Sequence, residues 1–161
     1  MAIAVVAVPG LTGSLHAQAT APPAQRSKAA AKQSPFVGNW VANLSKSKLL
    51  PNHQFKSATL RFGVKGDTVT LTQGAVNASG HEESRTITLQ ADGKEYPIPE
   101  APGMTSVVRW VGSNVLNTVG KKDGEIFFRA TYQVSANGKT LTISTGAGGA
   151  AFDQVVVFDR K

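Results

Sequence analysis

From residue 55 to the C-terminus, apolar and polar residues alternate in short runs. Ala58, Leu60, Phe62 and Val64 are apolar, whereas the residues between them are not. The same period of two recurs in the segments 68–72, 86–90 and 140–144. Successive side chains of a β-strand point to opposite faces, so this alternation predicts strands with one buried and one solvent-facing side.

Turn-forming residues separate these runs at short intervals. Gly and Asn readily adopt the positive φ values that tight hairpins require. The predicted turns are Lys65-Gly66-Asp67, Asn77-Ala78-Ser79-Gly80, Asp92-Gly93, Gly112-Ser113-Asn114, Lys122-Asp123-Gly124, Asn137-Gly138 and 146–149. Closing so many hairpins into a barrel removes exposed strand edges. Residues 35–161 are therefore predicted to be all-β, forming an antiparallel up-and-down barrel of nine or ten strands.

Three segments depart from this pattern. The run 155–158 is apolar on both faces, which predicts a central or covered strand. The stretch 95–104 contains three prolines in six residues, which favours a stiff extended loop over a central strand. Residues 45–55 can hold no more than one helical turn, because Pro51 ends any helix that begins at Ser45.

The first 34 residues have a different composition. An apolar run of eight residues is followed by Ala17-Gln18-Ala19, a pattern typical of a signal peptide over residues 1–19, cleaved after Ala19. Because a signal peptide normally starts with basic residues, we expect the natural chain to begin further upstream. Residues 20–34 predict a disordered linker. The protein is then periplasmic or secreted. The alternative is a disordered apolar tail on a cytosolic protein.

Composition limits the classes of function. About 127 residues remain for one domain, enough to bury a core without disulfides, and the chain has no cysteine. The net charge is +7, and three of the 17 basic residues precede residue 35, leaving 14 basic and 10 acidic side chains in the domain. These basic residues are scattered, whereas nucleic-acid binding needs a focused patch. We therefore expect no nucleic-acid partner, and the apolar run is too short for a transmembrane span.

Catalytic and metal-binding motifs are not recognisable in the domain. His53 and His81 are isolated histidines without a second histidine at ligand spacing. The run 146–149 is rich in glycine but lacks the Lys-Ser/Thr of a phosphate-binding loop. The sequence thus predicts no enzyme, no cofactor and no metal site.

The first and last strands carry a family resemblance. Phe36-Val37-Gly38-Asn39-Trp40 resembles the first strand of the calycin superfamily, in which lipocalins and fatty-acid-binding proteins begin with Gly-x-Trp. The C-terminal run 156–161 is similar to the closing strand of the fatty-acid-binding branch, where an aromatic and a basic residue end the barrel. The run 43–48 also resembles small exported bacterial lipocalin-like domains.

The resemblance implies a role for three residues at the barrel floor. In calycins a tryptophan packs at the closed end and a basic side chain from a late strand lies across it. Trp40 is the corresponding tryptophan, Arg160 the first candidate for its partner and Arg129 the second. Two family features are absent: residues 45–55 cannot hold a helix-turn-helix lid, and the Thr-Asp-Tyr motif of lipocalins is missing.

Small-molecule binding is the function that this fold implies. Thr, Ala, Ser and Gly are frequent in the strands, which favours an interior with space for a small apolar or amphipathic ligand. Tyr96, Met104, Trp110 and Phe127 are the candidate ligand contacts, with core packing as the alternative for each. A protein-binding module, such as an inhibitor or envelope-associated factor acting through its loops, is the alternative function.

Overall fold

The computed structural model describes residues 33–98 and 101–161. Ten strands and one 3-10 turn make up this part of the chain. The strands are β1 (Gly38–Ala42), β2 (Phe55–Lys65), β3 (Thr68–Asn77), β4 (Glu82–Gln90), β5 (Asp92–Pro97), β6 (Met104–Trp110), β7 (Val115–Lys122), β8 (Glu125–Val134), β9 (Thr140–Ala147) and β10 (Gln154–Arg160). The predicted signal peptide and nearly all of the predicted linker lie outside the described residues.

All ten strands form one antiparallel sheet. Its order is β4-β3-β2-β1-β10-β9-β8-β7-β6-β5, so the first and last strands of the chain pair at its centre. The sheet curls into a nearly closed barrel that brings β4 close to β6. This confirms the predicted all-β antiparallel barrel. The two unpaired edges, β4 and β5, are called the seam below.

Alternation along the strands separates an inner from an outer face. In β9, Leu141, Ile143 and Thr145 are buried, whereas the residues between them are partly exposed. Cross-strand partners share a face, so the same inner face includes Val156 and Phe158 of β10. The core lies inside the barrel, as the period of two predicted.

A strand irregularity between β7 and β8 interrupts the simple alternation. The pairing of β7 with β8 shifts register after Gly120. A β-bulge of this kind brings two successive side chains toward one face, and the Phe127 ring and the Phe128 Cβ both lie beside Gly120. Ile126 is consequently displaced outward and is 42% exposed.

The proline-rich segment is partly a strand, contrary to the predicted loop. Residues 95–97 belong to β5, which ends at Pro97 and pairs only with β6. Because β5 is an edge strand, its last residue tolerates the missing backbone N–H of proline. Beyond it, Ala101 is buried, and its N–H donates to the Ile98 carbonyl.

The connection from β1 to β2 runs beside the central strand. A 3-10 turn at Leu44–Lys46 occupies its start, one residue before the predicted helical turn. On either side of this turn, Asn43 N–H donates to the Val157 carbonyl and Lys48 N–H donates to the Val155 carbonyl. The connection therefore continues the pairing of β10 beyond β1, which agrees with the central position predicted for β10.

Candidate functional site

One end of the barrel is closed by an aromatic cluster. Phe36 and Trp40 are fully buried, and the Trp40 indole N–H donates to the Phe36 carbonyl at 3.0 Å. The Phe36 ring packs against Phe62 and Trp110, with ring centroids 5.5 and 5.2 Å away. These buried rings pack against one another at the floor of the barrel.

Arg160 lies over the tryptophan at this closed end. Its guanidinium carbon is 4.1 Å from the centroid of the Trp40 ring. The same guanidinium donates to the carbonyls of Val37 at 2.8 Å and Gly138 at 2.6 Å, and also to the carbonyl of Pro35. One side chain thus ties the segment before β1, the β8–β9 turn and the last strand together.

Glycine is required at the first position of the Gly-x-Trp motif for a steric reason. Gly38 has φ +137°, a conformation that side chains disfavour, and a Cβ on it would lie 2.6 Å from Arg160 Nη1. The motif therefore combines a buried indole with room for the cation that covers it.

Arg129, the second candidate for this role, lies elsewhere. It lies between the inward-facing Phe128 and Ala130, so its side chain starts from the outer face of β8. Its guanidinium stacks over the Phe152 ring, 5.7 Å from the centroid, and donates to the Ala150 carbonyl. It contributes to the β9–β10 hairpin and not to the floor.

Polar side chains occupy inward positions along β3 and β4. Gln73 is 8% exposed and pairs with Arg85, which is half-buried; the Arg85 Nε donates to Gln73 Oε1 at 3.3 Å. The row continues through Leu60 to Trp40, both buried. Gln73 and Arg85 therefore share the face of the core and project toward the lumen.

A second polar group lines the opposite wall. Tyr132 is 1% exposed and Thr118 is 3% exposed. Tyr132 pairs with Leu116, two residues before Thr118, so both polar side chains project inward from adjacent strands. Burial raises the pKa of Tyr132 far above its ordinary value, which keeps the hydroxyl protonated, while the charge of Arg85 acts in the opposite direction.

Gln154 occupies an inward position on the central strand. It is 1% exposed, and its Oε1 accepts a hydrogen bond from the Leu50 N–H at 3.4 Å and lies 3.2 Å from His53 Nδ1. This places the β1–β2 connection over the barrel end opposite the floor. His53, which the sequence left as an isolated histidine, is thus an anchor of that connection.

The four candidate ligand contacts do not form one cluster. Met104 begins β6 and Trp110 ends it, so about 20 Å of extended strand separates them. Trp110 packs on Phe36 and lines an open cleft of about 980 Å³ beside Pro35, at the closed end. Met104 and Phe127 lie toward the opposite end, and both are half-buried.

Tyr96 lies on the edge strand at the seam. Its hydroxyl donates to Asp92 Oδ2 at 2.8 Å, and this hydrogen bond raises the pKa of the tyrosine above its ordinary value. Because Tyr96 pairs with the inward-facing row through Ser106 and Gly120, it borders the interior.

Sequence reasoning missed the interior polar residues. A signal for them exists: Gln73 follows Val69 and Leu71 in the inward phase of its strand, and Thr118 follows Leu116 in the same way. A polar residue in the apolar phase of an alternating strand marks a buried polar side chain.

Within the described residues, no group of three or more His, Cys, Asp or Glu side chains is placed to hold a metal ion. No helix in that part of the chain has the length and hydrophobicity needed to cross a membrane.

The sequence matches no protein-family model and no curated protein sequence. Solved structures match it in three dimensions. The fluorescent protein UnaG has a TM-score of 0.56 at 20% identity, covering 78% of this chain and 97% of UnaG. A Schistosoma mansoni fatty acid binding protein in complex with arachidonic acid has a TM-score of 0.55 at 13% identity, covering 80% and 98%.

A zebrafish ileal bile acid-binding protein complexed with cholic acid shows the same likeness. Its TM-score is 0.52 at 17% identity, over 80% of this chain and 99% of that protein. At these identities the likeness shows the fold alone. Together with the ten-stranded order and the Trp40–Arg160 floor, it confirms the predicted resemblance: this chain has the calycin-type β-barrel fold of the fatty-acid-binding proteins.

Proposed function

We propose that this protein is an exported carrier that holds a small apolar or amphipathic molecule inside its barrel. The observation that carries the proposal is an asymmetry of the interior. The floor is filled by large aromatic side chains, whereas inward residues near the seam, such as Arg85, Ile87 and Ser106, are only half-buried. This difference supports a ligand on the seam side of the lumen.

The mixed lining favours an amphipathic ligand. Leu71 and Ile87 supply apolar surface, while Gln73, Arg85 and Tyr132 supply polar groups within the same interior. Small-molecule sites typically combine a mainly apolar wall with a few placed polar groups. Proteins of the same fold bind arachidonic acid and cholic acid, which supports a ligand of this kind here.

A thermal-shift titration with dodecanoic acid tests interior binding. A ligand that binds the folded state alone stabilises it, by about 2.7 kcal/mol at 100 times its Kd. We expect the Tm to rise by several degrees, with about one molecule bound per chain in calorimetry.

Two variants of neighbouring residues on β6 locate the bound ligand. Ser106→Trp places a large side chain in the lumen and should abolish the shift. Val107→Trp, on the outer face, should retain it. Absence of any shift in the unmodified protein, or equal binding by both variants, would contradict the proposal.

Export rests on Ala17-Gln18-Ala19 after the apolar run. N-terminal sequencing of the protein from its natural host should give Thr20 as the first residue, in a periplasmic or secreted fraction. An intact N-terminal region in a cytosolic fraction would show that the protein is not exported.

A further inference from the structure

The open cleft at the closed end, which Trp110 lines, lies among the turns of the barrel. Its volume of about 980 Å³ is close to the upper end of the range of about 300–1,000 Å³ that is typical of binding pockets. The β2–β3, β6–β7 and β8–β9 turns each contribute a glycine to its wall, Gly66, Gly112 and Gly138. A Cβ on any of these three glycines would meet no atom within 4 Å, so the wall is open beside each turn.

The wall of this cleft is apolar or neutral. Trp110 is half-buried, and Val111 beside it is 44% exposed. Every residue that lines the cleft in the described part of the chain is uncharged. Among the described residues, the Trp110 indole N–H has no hydrogen-bond partner, so it can donate to a carbonyl oxygen. The cleft therefore suits an uncharged segment that brings apolar rings and backbone carbonyl groups.

The chain itself leads into this cleft. Gln33, Ser34, Pro35 and Val37 form part of the wall. Arg160 holds this arm in place, because its guanidinium donates to the carbonyls of Pro35 and Val37. The Val37 N–H also donates to the Ser34 carbonyl at 3.0 Å. The chain before Gln33 therefore joins the barrel at the edge of the cleft.

The sequence before Gln33 has the composition that the cleft suits. Residues 20–25 are Thr-Ala-Pro-Pro-Ala-Gln and carry no charge, whereas the basic residues Arg26, Lys28 and Lys32 follow them. Consecutive prolines favour a polyproline II conformation, which has no internal hydrogen bonds and leaves its carbonyl groups free. Proline-rich segments of this kind bind in grooves lined by aromatic side chains.

This segment is long enough to reach Trp110. Gln33 follows Pro23 by ten residues, and ten extended residues span up to roughly 33 Å, about the diameter of a small domain. A short flexible tether also gives an effective concentration in the millimolar range. A weak contact between proline and indole is therefore sufficient for docking.

We propose that residues 20–25 of this chain fold back into the closed-end cleft, with Pro22 and Pro23 against the Trp110 indole. The docked segment covers the apolar surface of Trp110 and Val111. This contact goes beyond ligand binding inside the barrel, because the cleft lies among the turns at the closed end. Residues 20–25 are present with or without cleavage after Ala19, so docking does not depend on export.

The indole N–H signals in a ¹H–¹⁵N NMR spectrum of the full chain test the docking. The chain has two tryptophans, and Trp110→Phe assigns their two signals. Trp110 reports on the cleft, whereas the fully buried Trp40 reports on the folded floor.

Replacing both prolines should uncover Trp110. With Pro22→Ser and Pro23→Ser together, we expect the Trp110 signal to shift and the Trp40 signal to stay in place. The matched control is Ala29→Ser with Ala30→Ser, two replacements in the same part of the sequence. The control should shift neither signal.

A spin label tests the proximity of the two groups. The chain has no cysteine, so Ala24→Cys provides a single attachment site for a nitroxide. The label should broaden the Trp110 indole signal in dilute protein. Adding Pro22→Ser and Pro23→Ser to the labelled chain should remove most of this broadening, although the label stays on the same tether.

Two results would overturn the intramolecular docking. If the proline replacements change neither the Trp110 shift nor the broadening, residues 20–25 do not occupy the cleft. A mixture of ¹⁵N-labelled chains with separate spin-labelled chains tests the other occupant. If the Trp110 broadening in this mixture equals that within one labelled chain, the cleft holds the segment of a second copy.

Discussion

The central strand β10 and the seam strand β4 show how one sequence pattern leads to two different environments. In β10 the inward residues Gln154, Val156 and Phe158 are all buried to 1% exposure or less. In β4 the inward residues Ile87 and Leu89 alternate just as regularly, yet the strand has no buried residue. Alternation therefore sets the face of a side chain, and the strand's place in the sheet sets how deeply it is buried.

The number of neighbours explains the difference. β10 pairs with β1 on one side and with β9 on the other, whereas β4 pairs with β3 alone. β5, across the seam, likewise has a single partner and no buried residue. Because few apolar contacts and unpaired backbone groups lower local stability, we expect the seam to be the part of the wall that opens most readily.

Two isoleucine-to-alanine substitutions, one at the centre and one at the seam, test this contrast. They have the largest expected effect on stability. Ile143 on β9 is 1% exposed, so Ile143→Ala should lower the free energy of unfolding by about 2–5 kcal/mol. Ile87 on the seam strand is half-exposed, so Ile87→Ala should cost less than half of the loss for Ile143→Ala. Urea unfolding followed by circular dichroism measures both.

Thr142→Ala, next to Ile143 on the outer face of β9, controls for changes in strand propensity and should have a small effect. Equal losses for the Ile143 and Ile87 variants would show that the seam is packed as firmly as the centre. The comparison between centre and seam would then lose its energetic basis.

The features that the sequence predicted correctly depend on local rules. Period-two alternation and Gly- or Asn-containing turns depend on residues close together in the chain, and they predicted the strand count and the barrel. The Gly38–Trp40 motif and Arg160 were inferred from family resemblance, and the structure places the arginine 4.1 Å above the indole. The steric role of Gly38 required the folded contact with Arg160.

The features that it missed depend on pairing between distant strands. No local sequence pattern in β4 indicates that it is an edge strand, so the half-burial of Ile87 was not predicted. The bulge that brings Phe127 inward arises from a mismatch between β7 and β8. The packing of Tyr132 against Phe62 across the lumen likewise requires the closed barrel. Tertiary arrangement, and not local pattern, decides all three.

Acidification offers a finer test, because the seam strand β5 depends on carboxylates. The Lys121 ammonium at 2.5 Å and the Thr105 hydroxyl at 2.6 Å hold the pKa of Glu95 below its ordinary value. On the same strand, the Lys94 backbone N–H and the Tyr96 hydroxyl lower the pKa of Asp92. Glu95 thereby connects β5 to β6 and β7.

The direction of the pH effect follows from these lowered values. A carboxyl whose pKa is lower in the folded than in the unfolded state stabilises the fold above its unfolded pKa, which is about 4. That contribution is lost as the pH falls through the folded value. Both groups are exposed, so the effect on global stability should be small and should weaken with salt.

The central strand has a comparable carboxylate, Asp159, whose pKa is lowered by Asn43 and then by Lys46. Its strand, however, is held by two neighbours and a buried face, so protonation of Asp159 should leave β10 protected.

We therefore expect NMR hydrogen exchange between pH 5 and pH 3, corrected for intrinsic rates, to show β5 amides losing protection before β10 amides. Glu95→Gln, which cannot ionise, should reduce the pH dependence of β5 protection. Asp159→Asn should leave the pH dependence of β5 protection unchanged. If β10 lost protection first, its two-sided pairing would not be what stabilises it, and the contrast between centre and seam would be reversed.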